Sequence, residues 1–420
     1  MMLVVIFIYE LILEVIMNYT KEEVMEYVNE EDVAFVRLAF CDIIGKQKNI
    51  SIMASELNRA FDKGIAFDPS SIEGFGNITN SDLVLHPDPS TLMLLPWRPE
   101  RGKVVRMYCS ITYADGTPFE CDSRTILADA VKEAKEKGLE FSFGSEQEFY
   151  LFKLDEDGNP TKEPYDFASD MDIAPEDKGE NIRREICLTL DQMGIKPESS
   201  HHEEGPGQNE IDFKYADALS TADNVMTFQT IVKSVSGRNG LHADFSAKPL
   251  TDYPGNGFHI NVSIEECEFN DINGIFENVS AGILEKTKEM TAFLNSTDNS
   301  YERFGDAKAP SYITWSKENR SQLVRLTATA RDNARVELRS PDPMANPYIA
   351  FALIIKAALY GIENGLKLPE AVDISDLDKD STLSKKTDKL PKSLKEARGI
   401  TLDSDFVKDS LNEAILTSLK

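Results

Sequence analysis

Four segments of the chain alternate apolar and polar residues with a period of two, the mark of a strand buried on one side. In SEQEFYLF, Glu146, Glu148 and Tyr150 fall on one face and Gln147, Phe149 and Leu151 on the other. In NEIDFKY, Glu210, Asp212 and Lys214 oppose Ile211, Phe213 and Tyr215. GFHINVSI sets His259, Asn261 and Ser263 against Ile260, Val262 and Ile264. ARVELR sets Arg335, Glu337 and Arg339 against Val336 and Leu338. Helices are predicted over 124–137, 180–193, 218–236 and 347–364, closed by Gly138, Gly194, Gly237 and Gly365. The last has Asn346 as N-cap and Pro347 at its first position. Nearer the start, 33–40, 48–53, 91–97 and 103–112 read as strands, with a turn at Gly45. Thr20 and Glu23 make a capping-box pattern ahead of them. Residues 368–405, rich in Lys, Asp and Ser, read as a loop with short helices.

This order divides the chain into a small mixed domain, 17–113, and a larger domain, 114–420, in which strands and helices interleave. The loop-like ADGTPFECDS (114–123) marks the boundary. Residues 1–16, MMLVVIFIYELILEVI, form an apolar extension. It is shorter than a membrane span, carries Glu10 and Glu14, and lacks the basic start and cleavage site of a signal peptide. It reads either as a short interface helix or as a mis-called start upstream of Met17, and no stable membrane insertion is expected.

Composition narrows the chemistry. Apolar residues are 41% and charged residues 28% of 420, a soluble globular balance. Lys plus Arg is 45 and Asp plus Glu 72, a net −27 that repels phosphate backbones and argues against nucleic-acid binding. The same field suits metal cations, alone or with a nucleotide. Five scattered cysteines without a CxxC fit reduced thiols and a cytoplasmic location. GxxxxGK[ST], GxGxxG and GxSxG motifs are all missing, which excludes a P-loop, a Rossmann site and a serine-nucleophile elbow.

If the four alternating strands share one curved sheet, its polar face lines a cavity with carboxylates, one imidazole and guanidiniums. Carboxylates with an imidazole suit Mg²⁺ or Mn²⁺. Arginines suit bidentate capture of phosphate and carboxylate. Together they describe a phosphoryl-transfer site. Zinc at His201 and His202 is disfavoured, because no cysteine stands at ligand spacing.

Seven segments, in order, resemble the bacterial, dodecameric type I glutamine synthetase family from about Met17 to 365. FDPSSIEGF (67–75) is similar to its FDGSSI segment, GSEQEF to GPEPEF, and SHHEEGPGQNEIDF to HHEVAPGQxE. KPLTDYPGNGFHINVS (248–263) is similar to its ATP-region signature, and NSYERF (299–304), NRSQLVRL (319–326) and ARVELRSPDPMANPY (334–348) to its remaining motifs. The resemblance implies an α+β fold: a small N-terminal β-grasp-like domain and a catalytic domain with a curved antiparallel sheet packed by helices. It implies an ATP-dependent ligase joining L-glutamate and ammonia to glutamine, ADP and phosphate through γ-glutamyl phosphate. Two divalent ions, Mg²⁺ or Mn²⁺, are implied per active site, one on Glu148, Glu203 and Glu210 and one on Glu146, His259 and Glu337. Arg303, Arg320 and Arg339 would hold glutamate or the γ-glutamyl phosphate, with Arg303 and Arg339 counted as catalytic together with Asp68, Gly255 would offer an amide to the substrate carboxylate, and Ser263, Arg325 and Arg335 would bind ATP. Asp68 matches the ammonium-binding aspartate, which the family supplies from a neighbouring subunit, so a homo-oligomer with shared sites is implied.

The chain also departs from the family. Lys308, in RFGDAKAP (303–310), stands where a mobile flap carries a glutamate that closes the ammonium pocket. Asp306 is a candidate substitute. Pro69, Pro254, Asn256 and an acidic Asp244 differ from common members. The chain is expected to end about 25 residues early and to lack the family's C-terminal tail, which joins two hexameric rings, so hexamer and dodecamer both stay open. Two further readings therefore stand beside the leading one: a γ-glutamyl amide ligase using a larger amine, and a catalytically weak glutamate- or nucleotide-binding homologue.

Overall fold

A computed structural model of the protein describes residues 19–76, 82–97, 101–267, 272–306, 308–317, 319–327, 335–379 and 381–419. The apolar segment 1–16 lies outside them. The chain clusters into two units, one of 1–40, 47–72 and 76–119, the other of 41–46, 73–75 and 120–420.

In the first unit, α1 (Lys21–Glu30) opens on the predicted capping box: the Thr20 hydroxyl accepts from Glu23 N, and Glu23 Oε2 accepts from Thr20 N at 2.7 Å. There follow β1 (Val33–Cys41), β2 (Gln47–Met53), α2 (Leu57–Lys63), β3 (Ile65–Phe67), β4 (Leu83–Pro87), β5 (Met93–Leu94) and β6 (Lys103–Tyr113). The sheet order is β2-β1-β6-β4-β3, with β5 on β6. Strands β1 and β6 run parallel, whereas β4 is antiparallel to β6. The strand expected over 91–97 shrinks to two residues. Pro89 starts a 3₁₀ turn capped by Asp88, and Pro96 has no N–H to donate to a ladder.

The second unit runs α3 (Ser123–Glu136), β7 (Leu139–Leu154), β8 (Pro160–Pro164), α4 (Glu180–Gln192), β9 (Pro197–His202), β10 (Gln208–Asp217), α5 (Ala218–Arg238), β11 (Leu241–Asp244), β12 (Phe258–Cys267) and α6 (Ile272–Leu294). It continues with β13 (Trp315–Ser316), β14 (Val324–Thr327), β15 (Arg335–Leu338) and α7 (Pro347–Glu363). Five short helices close it: α8 (Ile374–Lys379), α9 (Ser381–Lys386), α10 (Leu394–Asp403), α11 (Asp405–Ser410) and α12 (Glu413–Thr417). The expected stop of α5 at Gly237 is corrected. The helix passes through that residue and ends before Gly240, which takes the left-handed conformation a terminus needs, at φ 71°.

One curved sheet of nine strands carries the order β13-β14-β15-β12-β7-β10-β9, with β8 and β11 also on β7. Its apolar face is covered by α5 and α7. Phe351 of α7 stacks on Phe143 of β7 at 4.4 Å and lies 6.1 Å from Phe258 of β12. Phe228 of α5 meets Phe149 and Phe213. All six rings are essentially excluded from water, and each such burial contributes roughly 1.5–3 kcal/mol. Behind this layer α6 crosses α7 through glycines. A Cβ on Gly282 would sit 2.1 Å from Ala357 O, and one on Gly361 would sit 2.1 Å from Asn278 O. Among the described residues no helix is long and apolar enough to cross a membrane.

Candidate active site

With the apolar face capped by helices, the opposite face gathers the polar residues of the alternating strands. Directly opposed residues in adjacent strands share a face. Register places Glu148 opposite Glu210, and Glu146 opposite both Asp212 and His259. It places Glu337 opposite Asn261 and Arg325, and Glu210 opposite His201. Rows of chemistry-bearing side chains therefore cross the sheet. One earlier expectation is corrected here: Tyr215 does not stay with Ile211 and Phe213. A register shift between Phe213 and Ala216 turns its ring onto Gly144, where a Cβ would lie 2.7 Å from the ring. Gly144 shares its face with Glu146.

The carboxylates are tightly held. His259 Nδ1 lies 3.1 Å from Glu146 Oε2, and Asn261 Nδ2 donates to Glu146 Oε1 at 2.8 Å. Glu148 Oε2 accepts from Gly257 N and from Gln208 Nε2, both at 2.9 Å, and its Oε1 lies 3.9 Å from His259 Nε2. Glu337 sits between two guanidiniums. Arg339 Nη1 donates to Oε1, and Arg325 Nε is 2.9 Å from Oε2 but not aligned for a hydrogen bond.

Glu146, His259 and Glu337 bring ligand atoms within 4.8 Å of one another, and so do Glu148, Glu210 and His259. Glu203 instead groups with His201 and Asp170. Its Oε1 is 3.3 Å from His201 Nε2, and its Oε2 accepts from Lys308 Nζ and from Glu204 N, both at 3.0 Å.

Burial and like charge perturb these groups. Burial, then Glu148 and Asp212, push the Glu210 carboxyl well above its usual range. Burial, then Glu203, raise Glu148. Burial, then Glu146, bring Asp212 up to about 6. Burial also acts to raise Glu146 and Glu203, but close partners outweigh it: His259 brings Glu146 down to about 2, and His201 with Lys308 brings Glu203 to about 2. A carboxylate cluster whose members Glu148, Glu210 and Asp212 are raised by neighbours of like charge fits a divalent cation. Its donors are oxygens and one imidazole, and Glu337 Oε2, Asp212 Oδ1 and Asn261 Oδ1 are buried without a hydrogen-bond partner.

Arg303 is buried, its Nη1 donating to the carbonyls of Ser340 and Pro341 at 3.0 and 3.3 Å. Gly255 packs on it so closely that a Cβ would lie 2.3 Å from Arg303 Cγ. Arg335 neighbours the Tyr215 hydroxyl, Arg320 is exposed at the turn before β14, and Ser263 follows Asn261 on its face of β12. Asp68 belongs to the first unit, where its exposed carboxylate accepts from Ser70 N at 2.8 Å. Asp306 is turned to Lys248 at 2.7 Å. Asn256 is fully buried and donates to the carbonyls of Asp244 and Ser246, and Pro254 O accepts from Tyr150 Oη at 2.6 Å. Asp244 pairs with Lys162 at 2.7 Å.

Sequence reasoning missed Gln208, although it stands two residues before Glu210 on the same face of β10. It also missed Gly257 and the buried pair behind Glu203: His202 Nδ1 donates to Glu203 O at 2.6 Å, and its Nε2 faces Asp166 Oδ1 at 2.8 Å. The separation of 36 residues hides that pair from any linear pattern.

Fold and site together define a class: cation-dependent enzymes that act on phosphate and carboxylate groups from the open face of a curved sheet. Residues 120–419 match the family model "Glutamine synthetase, catalytic domain", and 32–114 match "Glutamine synthetase, beta-Grasp domain". The chain is 42% identical over 410 residues to a glutamine synthetase of Clostridium saccharobutylicum, covering 95% of this chain and 93% of that one. It is 43% identical over 411 residues to one of Staphylococcus aureus, covering 95% and 92%. Two solved structures, titled "GmaS/ADP complex-Conformation 1" and "Apo GmaS without ligand", superpose with TM-score 0.84 at 28% identity over 94% of this chain and 94% and 93% of theirs. The chain belongs to the glutamine synthetase family. It is an ATP-using enzyme whose family employs divalent metal, and its α+β architecture is the expected one.

Proposed function

We infer that this chain catalyses the ATP-dependent joining of L-glutamate and ammonia to give L-glutamine, ADP and phosphate. The observation that carries the reading is the pair of carboxylate–imidazole groups meeting at His259, flanked by Arg325 and Arg339, on the open face of a sheet belonging to this family. Two divalent ions, Mg²⁺ or Mn²⁺, are assigned to each site. Glu146, His259 and Glu337 would hold one, and Glu148, Glu203 and Glu210 the other. Bound there, they would neutralise phosphate charge and orient the transferring group.

The chain's own residues do the rest. Arg303, Arg320, Arg339 and the Gly255 amide bind and orient glutamate, and Ser263, Arg325 and Arg335 bind ATP, a nucleotide assignment supported by the ADP complex among the solved relatives. The glutamate side-chain carboxylate attacks the γ-phosphorus, and the bond to the bridging oxygen of ADP breaks. Ammonia then attacks the acyl carbon, and phosphate leaves with one oxygen that came from glutamate. Ammonium must first lose a proton, and Asp68, supplied by a neighbouring copy of the chain, attracts the cation and accepts it. The working form is thus a cytoplasmic homo-oligomer, a hexameric ring or a dodecamer. Glutamate labelled with ¹⁸O in its side-chain carboxylate is expected to deliver one labelled atom to phosphate per turnover. Unlabelled phosphate would contradict the acyl-phosphate route.

One observation favours a second reading. Lys308 places a cation at Glu203, where an ammonium-binding acid would be expected, which suits an amine other than ammonia.

A further inference from the structure

Lys308 reaches the carboxylate face from the segment after Arg303. Its Nζ lies 3.0 Å from Glu203 Oε2, 3.5 Å from Glu204 Oε1 and 3.9 Å from Asp170 Oδ2. The backbone shapes this approach: Gly305 N donates to Ala309 O at 2.9 Å, Ala309 N donates to Asp306 O at 3.0 Å, and Asp306 is pinned by Lys248. Glu203 is 6% exposed, and His201 and Lys308 engage its two oxygens. The contrast with Glu148 and Glu210 is sharp, since these are neighbours of like charge and their nearest basic group is an imidazole.

We propose that Lys308 is a tethered cation that competes with a divalent ion for Glu203 and so sets the affinity of the Glu148–Glu203–Glu210 position. The proposal rests on Glu203 being a metal ligand, as inferred above. An ammonium held on a carboxylate oxygen draws down the electron density that oxygen can offer a cation, and the two positive charges repel across the same few ångströms. The ion therefore binds this position more weakly while Lys308 stays in place, whereas the Glu146–His259–Glu337 position, none of whose ligands Lys308 touches, is indifferent to it. Lys308 becomes an affinity-determining residue for one of two cation positions.

The test is calorimetric titration of the full-length protein with Mn²⁺, comparing wild type, Lys308→Gln and Lys308→Arg. Two classes of site are expected in all three. Lys308→Gln should tighten one class by roughly tenfold or more and leave the other unchanged, because one contacting charge is removed. Lys308→Arg, which keeps the charge, should match wild type. Unchanged affinities in Lys308→Gln, equal tightening of both classes, or equal tightening in Lys308→Arg would overturn the role of Lys308 while leaving the ligand assignment intact. Failure of wild type to bind two ions would overturn the ligand assignment, and this inference with it.

Discussion

Gly257 leaves no room for a side chain, since a Cβ there would lie 2.7 Å from His259 Nε2 and 2.9 Å from Glu148 Oε1. Its amide already donates to Glu148. Gly257→Ala should therefore displace both groups and lower kcat/KM by roughly 100-fold, the usual effect of misplacing a catalytic constellation by about 1 Å. Circular dichroism should show the fold retained, and activity within a few-fold of wild type would contradict the crowding argument. Titration gives a second check. Asp212 has a folded value of about 6, above its ordinary 3.8, so the folded chain holds that proton more tightly than the unfolded chain. Acidification from about pH 7 to 5 thus stabilises the metal-free protein at this group. Cation binding weakens in the same direction, because the Glu148 and Glu210 carboxyls, raised by burial and like charge, must lose their protons to ligate. Glu146 and Glu203, held near 2, act in the opposite sense: their stabilising contributions are lost only as pH falls from about 4.5 towards 2. The rise in unfolding temperature on adding Mn²⁺ should be larger near pH 8 than near pH 5. An equal rise at both would contradict the coupling. At this scale the alternating face was legible because each residue's neighbour on the sheet repeats every second position. Gln208 obeys the same rule and was recoverable. The grouping of Glu203 with His201 and Lys308 was not, because it joins β9 to a loop some 105 residues away.

Among the elements, the strands carrying Glu146, Glu210, His259 and Glu337 were readable from period two, and α7 from its Asn-Pro start. Three features were not. The bulge that reverses Tyr215 costs no change of composition, so alternation continues on paper where the backbone slips. Gly237 looked like a helix stop, but the chain turns left-handed only at Gly240. Helix α6 went unpredicted because Asn273, Gly274 and Gly282 interrupt its apolar period, and its partner α7 supplies what propensity lacks. Gly282 is a packing requirement. Gly282→Ala would drive a methyl onto Ala357 O and should destabilise the protein by about 1–3 kcal/mol, read as a lower unfolding midpoint. An unchanged midpoint would show that the α6–α7 crossing can open without cost.

At the scale of the whole molecule, Asp68 and the metal-binding candidates belong to separate compact units of one chain. If the ammonium aspartate comes from a neighbouring copy, damage to each unit can be complemented. Asp68→Asn and Glu337→Gln should each be inactive alone, and co-assembly of the two should restore about a quarter of wild-type activity, the fraction of sites that random mixing leaves with both residues intact. No recovery in mixed oligomers would contradict the shared site. The charge of −27 fits a molecule built around divalent cations and repelled by nucleic acid. Glutamate–ammonia ligation is checked by phosphate release from ATP with glutamate and Mg²⁺, with and without ammonium, followed by mass analysis of the products. Ammonium-dependent phosphate with an equal amount of glutamine is expected. Glutamate-dependent turnover that ammonium does not stimulate, or a γ-glutamyl amide formed in preference from a larger amine, would contradict it.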